Sequence, residues 1–280
     1  MLRSHRHLSG TFCLGGLLLL SAATAFAGKS ENHQTITRPG FDPTAARVEL
    51  FEAMEDGQLE TKVVAKNAEA GSVLIKNMTK EPITVDLPVA FVAVQINKQF
   101  QGDDGGGGGG AQSTGGGFGG GGGGGGFGGG GGGGAVGGQG GGQGFFSIPP
   151  ERTVRVPYGS VCLNHGKPEP TPRTAMKMIP VDSYTSDSVL VELITMVGTG
   201  RLPLQAAQAA VWTRSDNMSW QQLAQKVIVR AGRTSPYFHP AQLQRAEILV
   251  ATATGRARER MAEDSDEKAE TIPTRVRISN

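Results

Sequence analysis

Of the chain's 44 glycines, 30 fall between residues 105 and 144, interrupted only by Ala111-Gln112-Ser113-Thr114, Phe118, Phe127, Ala135-Val136, Gln139 and Gln143. Glycine loses more backbone freedom on folding than any other residue. The tract has no charge and little apolar surface to offset that loss. Composition therefore predicts a disordered insertion over 105–144. Its ends are free to meet, because closure entropy grows only slowly with loop length. It reads as an insertion between two neighbouring strands, not as a spacer between domains. A phosphate-cradling loop would need a following Lys-Ser/Thr and a helix, and neither is present. A surface-adhering or phase-separating tract is the compositional alternative.

At the start, Arg3, His5, Arg6 and His7 precede the apolar run Phe12–Leu20 and then Ala25-Phe26-Ala27. This order reads as a secretory signal peptide over 1–27, cut between Ala27 and Gly28. The apolar run is shorter than the roughly 20 residues a membrane helix needs. The expectation is a secreted, periplasmic or cell-surface protein with no membrane insertion after signal removal. The 27 Lys and Arg lose Arg3 and Arg6 with the signal and then match the 25 Asp and Glu. A neutral surface gives no electrostatic case for nucleic acid. Residues 28–41 are polar and unpatterned, and are expected to be a disordered leader.

Asp42-Pro43 resembles a helix start, with Ala46, Leu50, Phe51 and Met54 on one face, so a short helix is expected over about 43–55. Runs rich in Val, Ile and Leu follow at 59–66, 72–77, 83–87 and 89–97, and resume after the tract at 144–148, 153–156, 160–163 and 175–181. Gly, Pro and Asn punctuate them, including Pro157. Asn77-Met78-Thr79 is read as a turn. Short strands at this spacing predict an antiparallel, sandwich-like sheet over 42–104 and 145–181.

From Asp182 the period becomes helical, over about 189–198, 203–213 and 219–228, with a fourth helix opening at Pro240. Residues 182–254 thus read as a helical segment packed on the β-rich domain. The charged stretch 255–280 reads as a frayed tail, with a terminal edge strand at 274–278. The fold class is α+β.

Cys13 leaves with the signal, so Cys162 is the one thiol of the exported chain. A lone thiol in a secreted protein needs a reason. It can be a buried hydrophobe, an intermolecular disulfide partner or a catalytic nucleophile. His33, His165 and His239 are too scattered to form a metal set with it, and no cofactor is called for. Gln208 is the second misfit. It lies in the apolar stripe of Leu204, Val211 and Trp212, where an unpaired amide would cost about 1–3 kcal/mol. Its partner is either a backbone group or Cys162.

Ala207-Gln208-Ala209-Ala210-Val211-Trp212 resembles the Thr-Gln-x-Ala-Ile/Val-Trp motif of bacterial surface thioester domains. Val161-Cys162-Leu163 is similar to that family's cysteine strand. Ala207 stands where the family has Thr. The resemblance implies a Cys162–Gln208 thioester, with His165 and Trp212 in support. It implies covalent attachment to a surface protein or glycan, through an amine or hydroxyl that attacks the thioester. A non-covalent envelope scaffold and a secreted cysteine hydrolase are the alternative functions.

Overall fold

A computed structural model describes residues 35–96, 110–119 and 144–270, with side chains through 265. The expected signal peptide, the Ala27–Gly28 cleavage pair, residues 105–109 and 120–143 of the glycine tract, and the expected strand at 274–278 lie outside the described residues. The first part of the fold runs β1 (Ala46–Glu49), α1 (Leu50–Glu55), β2 (Leu59–Ala65), β3 (Ala70–Asn77), β4 (Ile83–Asp86), β5 (Phe91–Gln95), β6 (Thr114–Gly117), β7 (Phe145–Ile148), β8 (Thr153–Cys162) and β9 (Met176–Ile179). The second runs α2 (Val181–Tyr184), α3 (Ser188–Gly198), α4 (Leu204–Ser215), α5 (Trp220–Gln225), β10 (Val227–Arg230), β11 (Arg233–Pro236) and α6 (Pro240–Glu270). The mixed α+β class agrees with expectation. Among the described residues no helix is long and apolar enough to cross a membrane.

The β-rich part is not a sandwich. Six strands close into a barrel in the order β2-β3-β8-β6-β5-β9, and β1, β4 and β7 form a separate three-stranded sheet. Closure removes the free edges that a sandwich would have to protect. Alternation along the strands sorts the side chains. Phe91, Ala93, Val154, Val156 and Tyr158 enter one core with Val63, Val73 and Ile75, while Val92, Val161 and Leu163 enter a second core with the helices. The successive side chains of a strand point to opposite faces, so β5 and β8 serve both cores.

The glycine tract departs from expectation. Residues 114–117 are a buried barrel strand, paired antiparallel to β5 on one side and β8 on the other. Glycine is required there for close approach. A Cβ on Gly117 would lie 2.7 Å from Gly198 Cα of α3, and one on Gly116 would lie 2.6 Å from Ser160 Cα of β8. The strand is thin enough for α3 to lie directly on it. The backbone bonds of a barrel strand supply what composition counts as missing.

Other expectations are corrected by local chemistry. Asp42 does not cap a helix; its carboxylate accepts from the Thr44 amide and hydroxyl. The cap is Glu49, which accepts from the Phe51 and Glu52 amides, so the expected helix over 43–55 begins only at Leu50. The preceding residues pair in parallel with β4. Pro157 does not break β8, because it sits where only β3 pairs; pairing with β6 begins at Gly159. The leader is ordered from residue 35 on, since Ile36 both donates to Thr153 and accepts from Arg155.

The helix expected to run to Ile228 stops at Gln225. Its continuation is a hairpin turning through Ala231 and Gly232, both at positive φ, as a two-residue turn of this hand requires. The charged stretch after 255 is no frayed tail as far as Glu270. It continues α6, held by buried Ala253 and Ala257 and by the Arg260–Glu192 ion pair. Asn77 is the expected turn residue, fully buried, its amide donating to the carbonyls of Glu81, Ile148 and Pro149.

Tyr158 lies inside the barrel, and burial pushes its hydroxyl up to about 12. An unfolded tyrosine ionises near pH 10, so above that pH the unfolded state binds fewer protons and stability falls. The expected loss is about 2–3 kcal/mol between pH 10 and 12. Urea titrations across that range should show it, and Tyr158→Phe should flatten that part of the profile.

Candidate functional site

Cys162 ends β8 and is 3% exposed; Gln208 is in the middle of α4 and is 6% exposed. The helix brings its polar residue to the strand end because Ala206, Ala207, Ala209 and Ala210 are small and buried, which lets α4 lie close to β8. The two misfits of the sequence do meet. Gln208 Oε1 accepts from the Cys162 amide at 2.8 Å, and Gln208 Nε2 donates to the Cys162 carbonyl at 2.9 Å. The glutamine thus closes a two-bond ring on the cysteine main chain. Its carboxamide lies along the residue whose thiol the sequence pairs with it, and its bonds are to the backbone.

The thiol has a different neighbour. Cys162 Sγ lies against Gln112 Oε1. Gln112 is 4% exposed and comes from the interrupted start of the glycine tract. It is fixed by its own amide, which donates to Pro168 O at 3.0 Å, and by the next residue, whose amide donates to Asn164 Oδ1 at 2.8 Å. Thr114 pairs directly with Cys162 across β6 and β8. Sequence reasoning does not find Gln112. The signal available is that Ala-Gln-Ser-Thr is the longest break in the tract.

Burial pushes the Cys162 thiol above its ordinary range. The Asn164 amide and the Trp212 indole N–H act in the opposite direction, and the charges of Asp216 and Glu169 reinforce the rise. The Trp212 Nε1 atom is buried without a well-formed hydrogen bond, yet it is near enough to the sulphur to favour the thiolate. Trp212 is 4% exposed on α4, four residues after Gln208.

His165 stands at the exposed mouth of the site. Its ring meets the Trp212 ring edge to face at 4.8 Å, its amide donates to Asp216 Oδ1 at 2.8 Å, and Nε2 lies 2.7 Å from Lys226 Nζ. Partial burial, and then the field of Lys226, hold its pKa below the ordinary value. Lys226, Asp216 and Tyr237, whose ring centre lies 5.6 Å from that of Trp212, also escape a reading of the sequence. Lys226 falls inside the expected helix over 219–228, and only the break between α5 and β10 turns it towards His165.

Among the described residues no group of three or more His, Cys, Asp or Glu is placed to hold a metal ion. No family model, curated protein or solved structure matches the chain.

Proposed function

We propose that this is an exported surface or envelope protein that attaches covalently to a partner through an internal thioester between Cys162 and Gln208. The observation that carries the reading is the doubly hydrogen-bonded seat of the Gln208 carboxamide on Cys162. The amide of Cys162 points at the oxygen on which charge develops when sulphur attacks the carboxamide carbon. A fixed donor at that point stabilises the tetrahedral intermediate. The Trp212 indole N–H acts on the Cys162 thiol in favour of the thiolate. The step is balanced without a co-reactant: the C–S bond forms, the C–N bond breaks, and the nitrogen leaves as ammonia with the thiol proton. A nucleophile then attacks the thioester, and Cys162 leaves as the thiol. This is one-time acyl transfer, not turnover.

The same two bonds also serve a purely structural role, tying α4 to β8 in a non-covalent scaffold. Intact mass separates the two readings. The thioester protein is lighter than its sequence by one ammonia and takes up methylamine at Gln208, and Cys162→Ala abolishes both. An unreduced mass together with no methylamine uptake would leave the scaffold.

A further inference from the structure

The hairpin of β10 and β11 lies outside both cores. Among the described residues no third strand pairs with it, and none of residues 227–236 enters either apolar cluster. A two-stranded hairpin alone in water is marginally stable at best. Its register is fixed at both ends. Arg230 and Arg233 close the turn, and at the root the Tyr237 amide donates to Lys226 O at 2.8 Å. Hydrogen-bonded pairs alternate with unbonded ones along an antiparallel ladder. Lys226–Tyr237, Ile228–Ser235 and Arg230–Arg233 are therefore the bonded pairs. Val227, Val229 and Thr234 turn their amides and carbonyls outwards, and Pro236 has no amide to turn. The free edge of β10 thus presents two complete donor–acceptor pairs, and that of β11 one.

The two faces of the ribbon differ. Successive side chains point to opposite faces, so Val227, Val229, Thr234 and Pro236 share one face, and Ile228, Arg230, Arg233 and Ser235 the other. The first face carries no charge, yet Val227 is 51% and Val229 67% exposed. On the second, Arg230 lies directly opposite Arg233. Like charges in that position destabilise a ladder. Among the described residues neither arginine has a carboxylate oxygen within 4 Å. One added strand of the right pattern would satisfy the open edge, cover the valines and neutralise the arginines.

We propose that β10 is a docking edge, whatever the chemistry at Cys162, and that it takes an extended segment of a partner protein in which apolar and acidic residues alternate. The segment adds antiparallel to β10. Its apolar residues lie opposite Val227 and Val229 and exchange backbone hydrogen bonds with them. Its carboxylates fall on the arginine face, opposite Ile228 and Arg230.

The probe is a fluorescein-tagged peptide, Ser-Glu-Val-Glu-Val-Glu-Ser amide, titrated by anisotropy against the full chain. Saturable binding is expected. N-methylation of the two peptide valines removes the N–H groups that face β10 and leaves every side chain in place; it should abolish binding. That arm uses the parent chain, so it stands even if a variant misfolds. Val229→Pro should also abolish binding, because this amide faces the open edge and the hairpin's own ladder does not use it. Arg230→Glu with Arg233→Glu should weaken binding by about tenfold. The peptide with Lys in place of Glu should bind that double variant better than it binds the parent chain. Equal binding of the N-methylated peptide would mean contact through side chains alone, and would overturn strand addition. Unchanged affinity in the double variant would overturn the acidic assignment. Absence of peptide binding to the parent chain would overturn the proposal outright; a dimer that Val229→Pro makes monomeric would then give the edge to a second copy of the chain.

Discussion

Gly116→Ala is expected to prevent the barrel from closing, although the change adds one methyl group inside a tract that looks featureless. The new Cβ would meet the Gly159 carbonyl and lie 2.6 Å from Ser160 Cα, both backbone atoms of the neighbouring strand. Backbone in a closed barrel has no rotamer with which to give way. Overpacking in a core costs about 1–3 kcal/mol when side chains can adjust; here they cannot, and a loss of about 4 kcal/mol or more is expected. The control is Gly255→Ala, in the middle of α6, where a Cβ has nothing within 4 Å. That change should stabilise by about 0.5–1 kcal/mol through helix propensity. Urea titration of the two variants beside the parent chain measures both. If the variants are equally stable, β6 is not part of the folded barrel.

Gln208→Ala, made in a Cys162→Ala chain so that the parental carboxamide keeps its nitrogen, carries the second large effect. It strips the Cys162 amide and carbonyl of their partners, and each buried orphan costs about 1–3 kcal/mol. With the volume lost against α4, the expected destabilisation is about 3–5 kcal/mol. Gln208→Glu keeps the shape and separates two contributions. In that variant a protonated carboxyl group still donates to the Cys162 carbonyl, whereas a charged one does not. Burial raises the folded pKa of such a carboxyl group. Its contribution is therefore present below the unfolded carboxylate value and is lost as pH rises through the folded one. The variant should approach parental stability near pH 4 and fall below it at pH 8. With Cys162 intact, Gln208→Glu should show no ammonia deficit at either pH, because its side chain has no ammonia to lose. A flat stability profile for Gln208→Glu would mean that the Nε2 bond to the Cys162 carbonyl contributes little.

The strand positions are legible because short runs of Val, Ile and Leu between Gly, Pro and Asn have few other solutions. Even so, β10 has the sequence pattern of a helix. Val227 and Ile228 continue the apolar stripe of α5, and only the extended backbone of Lys226 ends that helix. The reach of α6 is hidden for the opposite reason. Its charges read as solvated tail, while its buried residues are three alanines, Ala246, Ala253 and Ala257, and the exposed Arg260 pairs with Glu192 of α3. Small residues leave a weak periodic signal even when they are fully buried.

The candidate site divides in the same way. Cys162 and Gln208 are visible as misfits because each breaks the pattern around it, a lone thiol and an amide in an apolar stripe. Gln112, Lys226 and Tyr237 break no local pattern, and each comes from a different connection between elements.

By itself the sequence determined the α+β class, most strand positions, the α4 helix and the two residues that do not belong where they lie. It did so because propensity and periodicity act over a few residues. Tertiary structure alone decided that the sheet closes into a barrel and that part of the glycine tract is a strand. It also placed the Gln208 carboxamide on the main chain of Cys162 and the Lys226 ammonium against His165, Trp212 and Tyr237. Those outcomes depend on close approach between distant backbones, and the absence of a side chain predicts such approach only once the neighbour is known.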